Sequence, residues 1–228
     1  MKLAAITPSY NDEALIGACI KGFAPYVQRH IVMVSQKPYF GETEEPDNTA
    51  EIASGLGAEV IYGRWQLDHY QRNTAIEMLQ EFDWILIADT DVFMLEDDMK
   101  SLIEKLKTET KDAVRVNHYP YWKDWEHVIE DTFKPMFAVR PNVRFVHIGN
   151  VGCENALYLD VHQHHLSWSE PKDIVSKISH YSHANQIPSD WYEKHFVNWE
   201  ESDQAVLPDR TYGIRKQSFP KELRELFV

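Results

Sequence analysis

Trp84-Ile85-Leu86-Ile87-Ala88-Asp89-Thr90-Asp91 runs an apolar segment directly into two carboxylates. The apolar part has the length and composition of a buried strand, and side chains two apart on an extended segment share a side. Asp89 and Asp91 are therefore expected to face the same way at the strand's end and to form a small, oxygen-rich mouth. Such oxygens suit Mg²⁺ or Mn²⁺, and Mg²⁺ is commonly held by one or two carboxylates while substrate phosphates complete its shell. The expected ligand is a nucleotide diphosphate. A pair of solvated turn aspartates would spell the same three letters, so the flanking chain has to decide.

Three upstream segments repeat one grammar, in which an apolar strand leads into a polar cluster and then a helical pattern. Leu3-Ala4-Ala5-Ile6 leads into Thr7-Pro8-Ser9-Tyr10-Asn11-Asp12, Ile31-Val32-Met33-Val34 into Ser35-Gln36-Lys37, and Glu59-Val60-Ile61-Tyr62 into Gly63-Arg64-Trp65. Helices are predicted over Asp12–Gly22, Asn48–Leu56, Asp68–Phe82 and Glu96–Lys107. Short strands alternating with helices indicate a parallel sheet of strand-helix-strand units, which binds ligands beyond the carboxyl ends of its strands. Tyr10, Asn11, Gln36, Arg72, Asp89 and Asp91 are all expected at that edge, around one nucleotide.

On these residues the chain resembles a known family. Thr7-Pro8-Ser9-Tyr10-Asn11-Asp12-Glu13 is similar to the P-x-Y-N-E opening of family 2 glycosyltransferases of the GT-A fold. Gln71-Arg72-Asn73 resembles their helix-start R-N element, and Trp84 to Asp91 resembles their strand ending in D-x-D. The likeness covers about the first half of the chain. It implies an α/β, Rossmann-like mixed sheet flanked by helices, the nucleotide-diphospho-sugar transferase architecture. It further implies that Thr7, Pro8, Ser9, Tyr10 and Asn11 hold the nucleotide base, while Asp89, Thr90 and Asp91 hold metal and diphosphate. The chain departs from the family after the second strand. Where members carry an acidic D-D-G-S-type element that reads the base, this chain has Ser35-Gln36-Lys37-Pro38-Tyr39.

Downstream, His164-His165-Leu166-Ser167-Trp168 and Lys177-Ile178-Ser179-His180-Tyr181-Ser182-His183-Ala184 resemble an H-x-S-[YW] … K-I-x-x-[FY]-x-H stretch of certain GT-A enzymes, including family 17 N-acetylglucosaminyltransferases. A late histidine commonly completes the metal shell in GT-A enzymes. The resemblance assigns that role to His165, with His164 next, and an imidazole beside two carboxylates favours Mn²⁺ over Mg²⁺. His162, His164 and His165 as a group could also collect a transition metal adventitiously. His180 and His183, three apart on a predicted helix, share a face that could meet the diphosphate. Lys177 could add positive charge there, although a plain amphipathic helix would show the same spacing.

Composition bounds the alternatives. With 228 residues and 43% hydrophobic content the chain can bury a full core, and one domain is expected over 1–228, with a nucleotide-sugar half (1–110) and an acceptor half (111–228). No apolar run reaches 18 residues, and the opening segment is interrupted by Pro8, so neither a membrane span nor a signal peptide is expected. Cys19 and Cys153 are isolated, and Cys19 falls in an apolar helix pattern as a small buried side chain; a reducing, cytoplasmic setting fits. The 36 acidic and 23 basic residues leave a net charge of -13, a poor match to nucleic acid. Arg140, Arg144, Arg210, Arg215, Lys216, Lys221 and Arg224 could gather into a local patch for a modified-base acceptor, but scattered solvated charges are the favoured reading.

The second half is expected to shape the acceptor pocket. Ala113-Val114-Arg115-Val116-Asn117-His118, Met136-Phe137-Ala138-Val139-Arg140 and Arg144-Phe145-Val146-His147-Ile148 read as further strands of a mixed sheet. Sugar rings stack on aromatic side chains while their hydroxyls need polar partners. Trp122 and Asp124 are the candidates here, with Trp125 read as core, and Trp191-Tyr192 and Trp199 as either a cap on the acceptor site or packing for the tail. The expected chemistry is attack of an acceptor hydroxyl on a nucleotide sugar, expected to be a UDP-sugar, with inversion. A carboxylate must then take the proton, and Glu154, after Gly149-Asn150-Val151-Gly152, is chosen over Asp124 and Glu170. Spacing alone leaves a retaining mechanism open. Two other functions compete. A sugar-nucleotide nucleotidyltransferase should carry a Gly-rich basic loop after the first strand, which is absent here; a non-catalytic nucleotide-sugar binding module would tolerate loss of any base.

Overall fold

The computed structural model describes residues 1–147, 150–151, 155–181, 184–201, 204–207 and 210–228. Its first half alternates strand and helix: β1 (Leu3–Ser9), α1 (Glu13–Phe23), β2 (Arg29–Ser35), α2 (Thr49–Gly55), β3 (Glu59–Gly63), α3 (Asp68–Glu77) and β4 (Trp84–Ile87). β1 runs parallel to both β2 and β4, and β2 parallel to β3, giving the order β3-β2-β1-β4. Central parallel strands are covered on both faces and so need apolar side chains on both. β1 meets that demand. Leu3 and Ala5 pack with Cys19, Phe23, Trp84 and Leu86, while Ala4 and Ile6 face the opposite cluster with Ile31, Met33, Ala75 and Ile76.

Beyond β4 the chain forms β5 (Val92–Met94), α4 (Glu96–Leu106), β6 (Ala113–Lys123), β7 (His127–Ile129), β8 (Met136–Val139), β9 (Phe145–His147), β10 (Asn150–Val151), β11 (Ala156–Ser169) and α5 (Ile174–His180). β8 pairs antiparallel with β4 and β6, β11 pairs parallel with β6, and β5 pairs antiparallel with β11. The expected mixed sheet flanked by helices is thus observed, and the polar clusters after β1, β2 and β4 lie at one edge of it. The helices begin and end within a residue or so of expectation except α3. It stops at Glu77 rather than Phe82, because Met78, Leu79 and Phe82 donate to carbonyls three residues back, a tightening turn that ends the α-helix.

Packing corrects one expectation about the second half and decides another that was left open. Trp122 is fully buried with Ile129, Trp168, Ile174, Trp191 and Phe196, and cannot stack on a sugar. Trp191 belongs to the same cluster and donates from its indole to the Val206 carbonyl at 2.8 Å, while Trp199 sits edge-on to His127. Trp125 packs on Phe219 and Phe227, as the core reading has it. Among the described residues no helix is long and apolar enough to cross a membrane.

Candidate active site

The Asp89-Thr90-Asp91 segment is held at a fixed height above the sheet. The amide of Ala88 donates to Ile6 at 3.0 Å, one step past β4, and Val92 donates back to the Asp89 carbonyl at 3.0 Å. That second bond closes a turn. The two aspartates therefore reach the cleft from a turn rather than from alternate positions of an extended strand, and they find different partners. Leu166 of β11 donates to the Asp91 carbonyl at 2.8 Å, so the far side of the turn is pinned by the second half of the chain.

Asp89 faces Arg72. The guanidinium of this α3 residue grips Asp68, one turn earlier, from Nε at 2.8 and 2.9 Å, and brings NH2 to 2.7 Å from Asp89 Oδ1. Burial works against the Arg72 charge, yet Asp68 and Asp89 raise its pKa above the usual guanidinium range. Burial lifts the Asp89 carboxyl above its ordinary value, with Asp68 and Asp91 adding to the rise and Arg72 and His165 opposing it. The ion pair is close but not directed: Asp89 Oδ1 is left without a hydrogen bond.

Asp91 faces an imidazole and two ammonium groups from the second half. His165 Nε2 lies 3.2 Å from Oδ1, while Lys172 Nζ and Lys177 Nζ lie 3.8 and 4.0 Å from Oδ2. Burial alone would raise this carboxyl, but His165, Lys172 and Lys177 outweigh it and hold the pKa well below the usual carboxylate range. Lys172 also donates to Asp12 Oδ1 at 2.8 Å, and burial pushes Lys177 down to about 8.

These groups line one cleft of about 640 Å³ at the carboxyl edge of the parallel strands. Of the residues expected there, Pro8, Ser9, Tyr10, Asn11, Arg72, Asp89, Thr90, Asp91, His165 and Lys177 are in its walls. His180 also lines it, edge-on to Tyr10, whereas its predicted companion His183 lies outside the described residues. Thr7 is not in the walls. Its hydroxyl donates to the Ala88 carbonyl at 2.6 Å and meets His30 Nε2 at 2.8 Å, so it braces the turn from beneath. Gln36 is exposed and outside the cleft, because Ser35 Oγ bonds the Lys37 carbonyl at 2.6 Å and the chain turns to present Lys37, Pro38 and Tyr39 instead. His164 points away into a bond with the Tyr121 hydroxyl at 3.0 Å, its pKa pushed down to about 4 by burial. His162 stacks on Tyr119.

The three carboxylates considered for proton removal fare differently. Asp124 is a turn residue, accepting from the amides of Glu126 and His127 at 2.7 and 3.1 Å and from the His127 ring at 2.9 Å, outside the cleft. Glu170 is exposed and absent from the walls, and its carbonyl is taken by Trp125 Nε1 at 2.5 Å. Glu154 and Cys153 lie outside the described residues. The basic residues of the second half do not gather: Arg140 covers Trp84, Arg215 covers Tyr119, Lys216 pairs with Glu201 and Arg224 with Glu126.

Several wall residues were not singled out from sequence. Asp12 and Lys172 are partners across 160 positions, a pairing that no local pattern signals. Glu44 and Asp47 arrive on the loop after β2, tied down by Tyr10 Oη, which accepts from the Glu44 amide at 2.9 Å, and by the Asn11 side chain. Gly41 lets this loop close on α5. At φ +75° it occupies the left-handed region, and a side chain there would meet the Ser179 carbonyl at 2.9 Å. Acidic side chains thus reach the cleft from a later position than the family's D-D-G-S element would supply them.

Asp89, Asp91 and His165, the residues expected as metal ligands, share the cleft. Asp91 and His165 offer an oxygen and a nitrogen 3.2 Å apart, and Asp89 adds a carboxylate oxygen without a directed hydrogen bond. Among the described residues no three His, Cys, Asp or Glu side chains are grouped so as to hold a metal ion by themselves.

The sequence profile described as Glycosyl transferase family 2 matches residues 4–161, so the histidine and lysine segment after it stands outside the match. Among solved structures, residues 1–349 of S. aureus TarS in complex with UDP-GlcNAc superpose with a TM-score of 0.51 at 14% identity, over 76% of this chain and 60% of that one. A mycobacterial protein superposes with a TM-score of 0.54 at 11% identity, over 95% of this chain and 84% of that one. At these identities the likeness is one of fold. The chain spans about 60% of the TarS segment's length. No curated protein matches the sequence significantly.

Proposed function

Because the chain belongs to glycosyl transferase family 2, we propose that it moves a sugar from a nucleotide-diphosphate sugar, a UDP-sugar, to an acceptor hydroxyl with inversion at the anomeric carbon. One observation carries this reading. A single cleft gathers the Pro8–Asn11 segment after β1, the Asp89-Thr90-Asp91 turn after β4, Arg72, and His165 with Lys177 from the second half. The first segment is suited to the nucleoside and the rest to a diphosphate.

Asp91, His165 and Asp89 would hold a divalent cation, Mn²⁺ by the mixed oxygen and nitrogen character of the set, which when bound supplies Lewis-acid stabilisation to the departing diphosphate. Arg72 is fixed by Asp68 before any ligand arrives, so its charge is oriented without further ordering. Inversion requires a carboxylate to take the hydroxyl proton. With Asp124 turned into its own hairpin and Glu170 outside the walls, that role falls to Glu154 in this reading. The acceptor is a glycan or another small hydroxyl compound; the scattered basic residues and the charge of -13 argue against nucleic acid.

The test is turnover of a panel of nucleotide sugars by the full chain with Mn²⁺, read as released nucleoside diphosphate. Slow donor hydrolysis, selective for one base and sugar, is expected. Glu154→Gln should bind donor normally and lose roughly 10²- to 10⁴-fold in transfer. Tight donor binding with no turnover would replace the transferase by a binding module, and consumption of a nucleoside triphosphate would replace it by a nucleotidyltransferase.

A further inference from the structure

The segment that follows β11 puts two ammonium groups into the cleft, outside the span of the family match. Lys172 and Lys177 converge on the same oxygen, Asp91 Oδ2, at 3.8 and 4.0 Å. Both distances exceed a hydrogen bond, so the lysines flank that oxygen without being consumed by it. Each ammonium has three protons to place. Lys172 gives one to Asp12 Oδ1 at 2.8 Å. Lys177 gives two to Ser167, at 2.5 Å to the carbonyl and 3.1 Å to the hydroxyl, and its stem lies over the Trp168 ring with Nζ 4.6 Å from the centroid. The unspent N–H groups belong to side chains in the cleft wall, on the same side as Asp89 and Asp91.

Positioned, partly desolvated cations of this kind are suited to phosphate oxygens, for which a lysine acts as a point charge. The other oxygen of Asp91 already faces His165, at 3.2 Å. We propose that Lys172 and Lys177 form a protein-borne pair of cations that binds the donor's diphosphate directly, beside the place of the divalent metal, so that diphosphate is still bound when metal is removed. This deepens the transferase reading and rests on it for the identity of the ligand. Lys172 then exchanges its contact with Asp12 for one with a phosphate oxygen. Lys177, held by Ser167, keeps its position.

Calorimetric titration of the full-length chain with inorganic pyrophosphate and with UDP, in excess EDTA and again with Mn²⁺, tests it. Binding in EDTA is expected, weakened at least tenfold by Lys172→Met and by Lys177→Met, with Lys172→Arg retaining most of it. The methionine variants keep the aliphatic stems, and their thermal midpoints report whether they fold. No binding in EDTA by the wild type, or unchanged affinity in folded Lys172→Met and Lys177→Met, overturns the cation pair. Lowered midpoints with unchanged pyrophosphate affinity would make the lysines mere counter-charges to Asp12 and Asp91, which also overturns it. The two readings fail separately. Donor turnover with Mn²⁺ but no binding in EDTA removes the cation pair and leaves the transferase, whereas lysine-dependent pyrophosphate binding without turnover of any nucleotide sugar removes the transferase and leaves the pair.

Discussion

Thr7 shows how a side chain inside a recognisable motif can serve the fold rather than the ligand. Its hydroxyl proton goes to Ala88, so at His30 it accepts, and the imidazole must carry its proton on Nε2. Nδ1 of His30 is then buried without a partner. Protonating it would place a charge in apolar surroundings, and burial accordingly pushes the His30 pKa down to about 4. The unfolded chain, near 6.5, binds more protons between those values. Stability therefore rises with pH across that window, is complete above about 6.5, and is lost as pH falls toward about 4, by on the order of 3 kcal/mol. Urea unfolding between pH 7 and 5 should show this slope, and His30→Gln, which keeps a donor for Thr7, should lower it by up to about 1.4 kcal/mol per pH unit. An unchanged slope would mean that His30 is not held neutral. His30 precedes the strand as read from sequence, Ile31 to Val34, and its tautomer and its link to the Asp89 turn depend on contacts 23 and 81 positions apart.

At the level of elements, legibility followed the source of each signal. β1, β2, β4 and α1 were readable because burial on the sheet demands runs of apolar residues or a helical stripe, and both are local patterns. β11 was not. Its fourteen residues carry Asp160, His162, Gln163, His164, His165 and Ser167, and they read as a ligand motif although backbone pairing to β5 and β6 makes them a strand. The same pairing sends His165 to Asp91 and His164 to Tyr121, which periodicity cannot separate until the register is known. Trp122 was misread for a related reason: an aromatic residue beside acids looks like a sugar platform, but strand β6 turns it into the cluster of Trp168, Trp191 and Phe196. Trp122→Ala is expected to cost about 3 to 5 kcal/mol in unfolding free energy. Trp122→Phe should lower the thermal midpoint less and leave donor and acceptor KM unchanged; a raised acceptor KM at unaltered stability would restore the stacking role.

Over the whole molecule, the expected boundary near residue 110 does not separate two folding units. Phe137 stacks on Phe23 with ring centroids 6.0 Å apart, and Val114, Val116, Ala138 and Val161 share a cluster with Trp84, Leu86 and Leu102. Without residues 111–228, β4 would lose β8 as its edge partner and β5 would lose β11 altogether. The apolar surface laid bare would belong to the most buried strands, and an unpaired, hydrophobic edge favours association with other chains over a monomeric fold. The cleft would suffer equally, because His165, Lys172 and Lys177 would be missing while Asp12, Asp89 and Asp91 remained as neighbouring acids. A fragment of residues 1–110 should therefore lack a dispersed amide spectrum and a cooperative urea transition, and should not bind UDP with Mn²⁺. If it folded cooperatively and bound, the nucleotide half would be autonomous and the second half an addition to it. The interleaved strand order predicts the opposite, since Lys172 and Lys177, which face the acidic turn, are carried by the segment that follows the strand completing the sheet.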